Sequence, residues 1–264
     1  MSNPFIGSTL NKEYNPKLES LRDDMLARKD PDFFWPTGTQ VYVGRQGSGK
    51  TISAVHHVMK LKLRYPKAVI CSNLDLADLQ ARKFKDKSEL QAMSGSFDVL
   101  KDYIYFQDME TLALALTNIN NGRQGVIYLV DEIHTYFNAL DSKNIPPYIF
   151  TEISQQRKQR KLIIGTSQLF LRMAKPFREQ CDNLIVCRTL FGFITVQKAF
   201  DGMTLSQTYD GALTGEHKKT GWFFHTRKRR GRFDTYQKVV SGSTQLEELQ
   251  QPEKKEKFLS VRKR

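Results

Sequence analysis

Eight consecutive residues near the start of the chain constrain its fold more than any other feature. They are Gly44-Arg45-Gln46-Gly47-Ser48-Gly49-Lys50-Thr51, and they fit the Walker A pattern G-x-x-x-x-G-K-[ST]. The glycines let the backbone curl until successive N–H groups point inward, where they can cradle phosphate oxygens. Gln40–Val43 before the pattern reads as a strand, and Ile52–Leu63 after it reads as a helix. This order of strand, loop and helix is the one that a phosphate-binding loop requires.

The last two residues of the loop supply the side chains that would contact a nucleotide. Lys50 would reach the β- and γ-phosphates, and the Thr51 hydroxyl would hold Mg²⁺. The positive end of the dipole of the following helix favours the same anion. The loop therefore predicts ATP and Mg²⁺ as ligands.

Two adjacent carboxylates follow the most apolar predicted strand, Val126–Val130. In sheets of this type the carboxyl ends of buried strands face the crevice where ligands bind. Asp131 would therefore assist the metal, usually through water, as a Walker B carboxylate does. Glu132 lies one residue beyond and can polarise the water that attacks the γ-phosphate. An adjacent pair suits hydrolysis because one carboxylate serves the metal and the other serves the nucleophile.

A polar residue, Gln168, follows the predicted buried strand over 162–166. If this strand neighbours the strand before Asp131, the Gln168 amide can lie beside the γ-phosphate. A neutral amide in that position can orient water and respond to the presence of the phosphate. Gln168 is therefore the third candidate for the catalytic site.

Arginines before this strand are candidates for transition-state stabilisation. A helix is predicted over 147–158. Arg157 and Arg160 are three residues apart, so if both are helical they share one face. An arginine supplied by an adjacent subunit would stabilise charge on the transferring phosphate. A solvated helix end is an equal alternative, since cations there complement the helix dipole. Arg172 and Arg178 are further candidates.

Predicted strands alternate with predicted helices along the chain, which has 264 residues. This alternation predicts an α/β fold, a P-loop NTPase with a central, mainly parallel sheet covered by helices on both faces. Phe193–Phe200 is predicted to add an antiparallel edge hairpin. We expect an N-terminal extension over 1–36 with a helix over 18–28, an ATPase domain over 37–240, and a basic, polar tail over 241–264. Residues 75–101 are expected to form short helices and a surface insertion.

The chain carries a formal net charge of +13, and residues 216–264 hold 14 Lys or Arg against 6 Asp or Glu. The densest basic run is Arg227–Arg232. Such a patch suggests a polyanion partner, with nucleic acid first and an anionic membrane second. An equally weighted alternative is that these basic residues belong to a solvated, partly disordered tail.

The remaining composition points to a cytoplasmic protein. No apolar run approaches the roughly 18–20 residues that cross a bilayer, and the N-terminus lacks the apolar core of a signal peptide. The three cysteines lack zinc-like spacing, and their odd number argues against a disulfide framework. We expect reduced thiols in the core.

These motifs together resemble the zonula occludens toxin-like family, whose members include the assembly ATPases of filamentous phages. The family lies within the wider FtsK–HerA class of P-loop ATPases that pump or package DNA. The resemblance runs from about Thr39 to Val196. It rests on GRQGSGKT at 44–51, VIYLVDE at 126–132 and QQRKQRKLIIGTSQ at 155–168. Arg232–Tyr236 is also similar to an aromatic Tyr/Phe-Asp-Thr segment that often follows the core in these proteins.

The resemblance implies an ATP-hydrolysing motor of viral or mobile-element origin that acts as a ring of identical subunits. Such a motor packages or translocates DNA, or assembles virions, and grips phosphates without reading sequence. The alternative is a nucleotide-gated assembly or secretion protein that docks coat or membrane partners without translocating DNA. A small-molecule kinase is a third, weaker reading. Filamentous-phage assembly proteins carry a membrane-spanning helix after the ATPase domain, and this sequence lacks one. We therefore expect either a soluble packaging or assembly motor in the host cytoplasm, or a motor that borrows a separate membrane subunit and is peripheral at the inner membrane.

Overall fold

A computed structural model of the chain describes residues 30–77, 79–83, 102–106, 108–207 and 213–233. The helix predicted over 18–28 and the tail predicted over 241–264 lie outside the described residues. So does most of the insertion predicted over 75–101. Within its described part, Gln80–Lys83 form a strand and not a helix, because this segment pairs in parallel with the strand Asp102–Tyr105.

The described elements alternate between strands and helices, as predicted. The strands are β1 (Gly38–Val43), β2 (Val69–Ser72), β3 (Gln80–Lys83), β4 (Asp102–Tyr105), β5 (Val126–Val130), β6 (Lys161–Ser167), β7 (Asn183–Leu190), β8 (Ile194–Asp201), β9 (Ser206–Gln207), β10 (Leu213–Thr214) and β11 (His217–Phe224). The helices are α1 (Lys50–Arg64), α2 (Met109–Asn118), α3 (Pro147–Ser154), α4 (Lys175–Arg178) and α5 (Arg227–Arg230).

Within the described residues, nine strands form one sheet in the order β11-β8-β7-β1-β6-β5-β2-β4-β3. The pairs from β7 to β3 are parallel, whereas β7–β8 and β8–β11 are antiparallel. The predicted antiparallel hairpin is therefore present. The edge strand at that end is β11, which the sequence analysis does not predict, because its exposed residues lack the alternation of a half-buried strand.

Two layers of helix cover the sheet because its strands alternate apolar side chains between two faces. On one face, Ile52, Val55 and Val58 of α1 pack in a core that contains Ile127 and Ile164. The opposite core joins α2, α3 and α4 to the other side chains of β1, β5 and β6. The central strands β5 and β6 are buried along their whole length. The predicted fold class, a P-loop NTPase with helices on both faces, is confirmed.

The prediction of reduced thiols in the core is confirmed. All three cysteines are buried free thiols.

Among the described residues, no helix is both long and apolar enough to cross a membrane. The segment before β1 anchors the sheet, since Phe34 is fully buried and its N–H donates to the Arg123 carbonyl over 2.8 Å.

Helix α3 ends at Ser154, earlier than the predicted 158. Residues 155–160 form turns, and Arg160 has a left-handed φ of 51°. The chain leaves the helix because Gln156 is buried and its amide donates to the Thr39 hydroxyl over 3.0 Å. That contact directs the backbone into β6.

The ring of His57 on α1 makes the stability of the fold sensitive to acid. The Tyr42 hydroxyl lies 2.9 Å from His57 Nδ1, and a cavity beside the ring is also lined by His56, Lys60 and Lys219. Burial, with a smaller contribution from the charge of Lys60, lowers the pKa of His57 to about 4. Protonation therefore favours the unfolded chain, where a histidine titrates near 6.5.

Stability from this histidine is full above pH 6.5 and is lost as the pH falls toward 4. We expect the free energy of unfolding to fall by roughly 2–3 kcal/mol from this group between pH 7 and pH 4.5. Urea unfolding at both pH values measures it. His57→Gln should lose less stability than the wild type over this interval, whereas the exposed control His217→Gln should lose as much. Equal losses in all three proteins would contradict the assignment.

Candidate functional site

The site lies where the carboxyl ends of three neighbouring strands meet. Strand β1 pairs with β6 until Val43 lies opposite Ser167, and β5 pairs with β6 until Val130 lies opposite Gly165. The glycine loop follows β1, the paired carboxylates follow β5, and Gln168 follows β6. Segments far apart in the sequence therefore converge at one sheet edge, because parallel strands end on the same side.

Asp131 connects the loop to the third strand through hydrogen bonds. Its Oδ1 accepts from the Thr51 hydroxyl over 2.9 Å and from the Thr166 hydroxyl over 2.7 Å. Its backbone is fixed by Asn73, whose side chain accepts from the Asp131 N–H and donates to the Asp131 carbonyl. The Thr51–Asp131 contact brings both predicted metal ligands together.

Glu132 occupies a strained backbone position beside Asp131. Its φ of 48° is left-handed, which is uncommon outside glycine and is often found at functional sites. The Glu132 N–H donates to the Thr166 hydroxyl over 3.0 Å, and the Gln168 amide hydrogen-bonds to its carboxylate. His134 Nδ1 lies 3.2 Å from Glu132 Oε2. Glu132 is therefore held by the strand that carries Gln168.

The electrostatic environment raises the pKa of both carboxyl groups. Burial raises the pKa of Asp131, although hydrogen bonds from Thr166 and Thr51 and the charge of Lys50 oppose the shift. Burial and then the negative charge of Asp131 raise the pKa of Glu132. A carboxylate with a raised pKa is a stronger base, which suits proton abstraction from water.

At Gly49 the glycine loop has no room for a side chain. This residue has a φ of +84°. A Cβ added here would lie 2.4 Å from Thr195 Oγ1 and 2.8 Å from Thr189 Oγ1. The two hydroxyls lie 3.0 Å apart, and Thr195 Oγ1 lies 2.6 Å from Nε2 of His225. The β7–β8 hairpin and the residue after β11 therefore support the loop from behind.

A cavity of about 360 Å³ opens beside the loop. Lys50, Thr51 and Asp131 line it on the sheet side. The end of the described chain contributes three further residues, which no sequence motif predicts: His225, Arg230 and Phe233. The structure thus adds a cation to the site from the same chain that supplies the loop.

This C-terminal wall of the cavity is fastened at two points. The Ala77 N–H donates to the Arg232 carbonyl over 2.9 Å, next to a bridge between Leu76 and Phe233. The Arg230 guanidinium donates to the Gly192 carbonyl over 2.7 Å. In the sequence, Arg227–Arg232 is predicted only as a basic patch. The resemblance of Arg232–Tyr236 to a family segment is the sequence signal that points to Phe233.

The remaining predicted arginines lie elsewhere. Arg157 and Arg160 do not share a helical face, because they lie in turns after α3. Arg160 precedes β6, whereas the site lies at the other end of that strand, about 20 Å away for seven residues in extended conformation. Its guanidinium lies 3.6 Å from the ring centroid of Phe33 and donates to the Phe34 carbonyl. Arg172 is closer, since its charge acts on Glu132 and on His134.

The donor set fits Mg²⁺. The described residues contain no group of three or more His, Cys, Asp or Glu that could hold a metal. Magnesium is usually bound by one or two protein oxygen ligands together with phosphates and water. The Thr51 hydroxyl and the Asp131 carboxylate are such ligands, and they lie at the wall of a cavity large enough for phosphate groups.

The phosphate-binding loop, the paired carboxylates and the sheet that joins them define a P-loop NTPase. Residues 39–219 match the protein-family model described as Zonular occludens toxin (Zot). This match spans more than half of the chain, so the chain belongs to the Zot family. The predicted family is confirmed. A comparison with the curated proteins gives no match.

Solved structures with a similar fold share little sequence with the chain. The N-terminal domain of zonular occludens toxin from Neisseria meningitidis aligns with a TM-score of 0.49 and 12% identity, over 75% of this chain and 98% of that one. The genome packaging NTPase B204 from Sulfolobus turreted icosahedral virus 2, in complex with ATP-gammaS, aligns with a TM-score of 0.48 and 15% identity, over 72% and 98%. B204, the DNA-packaging ATPase from Sulfolobus turreted icosahedral virus, aligns with a TM-score of 0.43 and 14% identity, over 69% and 97%.

Proposed function

We propose that the protein is an ATP-hydrolysing motor that packages or translocates viral or mobile-element DNA, or drives virion assembly. The observation that carries this proposal is the position of Asp131. Its carboxylate accepts hydrogen bonds from the phosphate-binding loop and from the strand that ends in Gln168. A loop that only bound nucleotide would not need a partly buried carboxylate pair at the same edge of the sheet.

ATP would bind with its phosphates against the backbone of residues 44–51. Lys50 is buried at the cavity wall, where its ammonium can meet the β- and γ-phosphates. Thr51 and Asp131 would hold Mg²⁺, which when bound neutralises charge on the phosphates.

Glu132 would act as the general base. Its raised pKa favours acceptance of a proton from the attacking water. Gln168 hydrogen-bonds to the Glu132 carboxylate, so it can fix the direction of that carboxylate and respond when the γ-phosphate leaves. His134, whose pKa burial lowers, is neutral near pH 7 and so adds no positive charge beside the base.

Arginines would complete the site from two sources. Arg230 lines the cavity and belongs to the same chain as the loop. In a ring, a second arginine would come from the neighbouring subunit. Arg157 and Arg160 remain candidates for this role. Arg157 is the better one, because its side chain is exposed whereas Arg160 is held by Phe33 and Phe34.

Replacement of Arg230 tests the contribution of the same-chain arginine. A charge-assisted hydrogen bond to phosphate contributes about 1.5–3 kcal/mol, so Arg230→Ala should raise the Kd for an ATP analogue by about tenfold or more. Titration calorimetry measures this constant. Arg227→Ala is the matched control, because Arg227 is exposed on the same short helix and does not line the cavity. Unchanged affinity for Arg230→Ala would remove this residue from the site.

One experiment tests the motor itself. The ATPase rate is measured without DNA, with single-stranded DNA and with duplex DNA, and the mass in solution is measured with a non-hydrolysable ATP analogue. DNA-stimulated hydrolysis and a nucleotide-dependent ring support the proposal. Hydrolysis without stimulation would favour the nucleotide-gated assembly protein that docks coat or membrane partners. A protein that binds but does not hydrolyse ATP would contradict the motor and leave the nucleotide-gated assembly protein.

A further inference from the structure

The antiparallel end of the sheet has one face that the described helices leave open. On the side of α1, Cys187, Thr195 and Phe223 are buried. The opposite core, which joins α2, α3 and α4 to the parallel strands, reaches only Leu184 on β7. Beyond that point, no described helix packs on the second face of β7, β8 and β11.

Strand register identifies the side chains on this face. Trp222 of β11 lies opposite Val196 of β8, which lies opposite Arg188 of β7. Directly opposed residues project to the same side of an antiparallel sheet, so these three side chains form one row. The next row toward the hairpin turn contains Phe224, and the row on the other side contains Lys198.

Exposed aromatic rings cluster in these rows. Trp222 is 64% exposed, Phe193 is 47% exposed and Phe224 is 46% exposed. The rings of Phe193 and Phe224 are within 8° of parallel with centroids 6.4 Å apart, and Trp222 meets Phe224 edge-on at 5.2 Å. Large aromatic side chains rarely stay this exposed in a group unless the group binds something. We call this set the aromatic face, and it comprises Arg188, Phe193, Val196, Lys198, Trp222 and Phe224.

The charge on the aromatic face is positive. Residues 183–201 and 217–224 contain four Lys or Arg and a single acidic residue, Asp201. One of the four, Lys219, faces the α1 side instead. Asp201 is already paired with Lys218 over 2.8 Å. Arg188 and Lys198 are exposed on the face itself. A second copy of the same face would be repelled, whereas a polyanion would be attracted.

We propose that the aromatic face binds single-stranded nucleic acid, with bases stacked on its rings and phosphates on the flanking cations. This inference deepens the proposed function, on which it rests, by naming the surface that meets the nucleic acid. Unpaired bases expose π-faces to aromatic side chains, and such stacking tolerates any sequence. Paired bases in a duplex are stacked on each other and cannot reach the rings of a sheet face. The surface therefore selects single strands.

Fluorescence anisotropy with a fluorescein-labelled oligo(dT) tests the surface at fixed ionic strength. The double variant Trp222→Ala, Phe224→Ala should weaken binding by about tenfold or more, because stacked bases lose their platforms. Tyr148→Ala is the matched control, since Tyr148 is 52% exposed on α3, and it should bind as the wild type does. Equal affinity for the double variant and the wild type would overturn the proposal.

Charge and stacking have separate readouts. The double variant Arg188→Ala, Lys198→Ala should reduce the slope of log affinity against log salt by about 1.4, which is the value for two phosphate contacts on a single strand.

The chain has two tryptophans. Trp35→Phe leaves Trp222 as the reporter, and its fluorescence should be quenched by unlabelled oligo(dT). If Trp222 fluorescence is not quenched at saturating oligo(dT), bases do not stack on this ring and the proposal fails. This result does not depend on whether the variants that lack the rings fold well.

Two further comparisons identify the partner. A labelled duplex should bind at least tenfold more weakly than the single strand, and tighter duplex binding would contradict the proposal. Vesicles of phosphatidylcholine and phosphatidylserine test the competing partner, a lipid surface. If the double ring variant loses vesicle binding but keeps oligo(dT) binding, the face is a membrane contact and the proposal fails.

Basal ATPase activity separates this inference from the proposed function. Trp222 and Phe224 do not line the nucleotide cavity, so their replacement should leave the rate without DNA unchanged. If the wild type hydrolyses ATP normally and the double ring variant binds oligo(dT) as tightly as the wild type, the proposed binding surface is contradicted but the proposed motor is not. Ring-dependent oligo(dT) binding in a wild-type protein without ATPase activity would overturn the motor and support the surface.

Discussion

Glu132→Gln is expected to lower the rate of ATP hydrolysis by about 10²–10⁴ while leaving the affinity for ATP near its wild-type value. Glutamine keeps the size of the side chain and its ability to accept a hydrogen bond from Gln168, but it cannot accept a proton from water at neutral pH. The substitution also removes a partly buried charge next to Asp131, whose negative charge contributes to the raised pKa of Glu132. Folding should therefore be preserved.

Two measurements check this expectation. Steady-state phosphate release gives the rate, and titration with a labelled ATP analogue gives the affinity. Glu179→Gln is the matched control, because Glu179 is an exposed residue in an i,i+4 pair with Lys175 and should not change either value. If the Glu132→Gln protein hydrolyses ATP at the wild-type rate, the general base is another group.

Lys50→Ala should abolish detectable hydrolysis and also weaken nucleotide binding, which distinguishes it from the first variant. The Lys50 ammonium is buried at the cavity wall, and its charge opposes the rise in the pKa of both Asp131 and Glu132. Its loss would remove the cation that meets the β- and γ-phosphates. It would also leave two neighbouring, partly buried carboxylates without that positive charge. We expect the Kd for ATP to rise by about tenfold or more, since charge-assisted hydrogen bonds contribute about 1.5–3 kcal/mol each.

Calorimetric titration with ATP and Mg²⁺ measures this loss, and thermal unfolding of the apoprotein shows that the fold survives. Lys143→Ala serves as the control because Lys143 is exposed and distant from the loop in the chain. Undiminished binding in Lys50→Ala would mean that the glycine loop does not hold the phosphates, and the whole site assignment would fail with it.

The central sheet and the main site could be predicted because their signals are local in the sequence. Val126–Val130 is continuously apolar, and the structure buries every residue of it. Chain order alone placed Thr51 at the start of a helix and Asp131 at the end of a strand. Parallel pairing then brings them within 2.9 Å, as the sheet rule predicts.

Contacts between distant segments could not be predicted in this way. The prediction that the helix over 147–158 ends at residue 158 was wrong. The helix ends at Ser154, because Gln156 makes a buried contact with Thr39, 117 residues away. Arg160 was expected to share a helical face with Arg157, but it stacks on Phe33 instead. These outcomes depend on tertiary packing that no local pattern encodes.

The sequence by itself determined the phosphate-binding loop, the carboxylate pair and the alternation of strands and helices, because short-range sterics and hydrophobic periodicity act within a few residues. Only the tertiary structure decided that the basic run Arg227–Arg232 folds over the loop and lines its cavity with Arg230. It also decided that β11 becomes the sheet edge with Trp222 and Phe224 facing outward. The physical reason is that a polar, cationic segment has no strong local preference, so its position is set by the hydrogen bonds and burial that remote strands offer it.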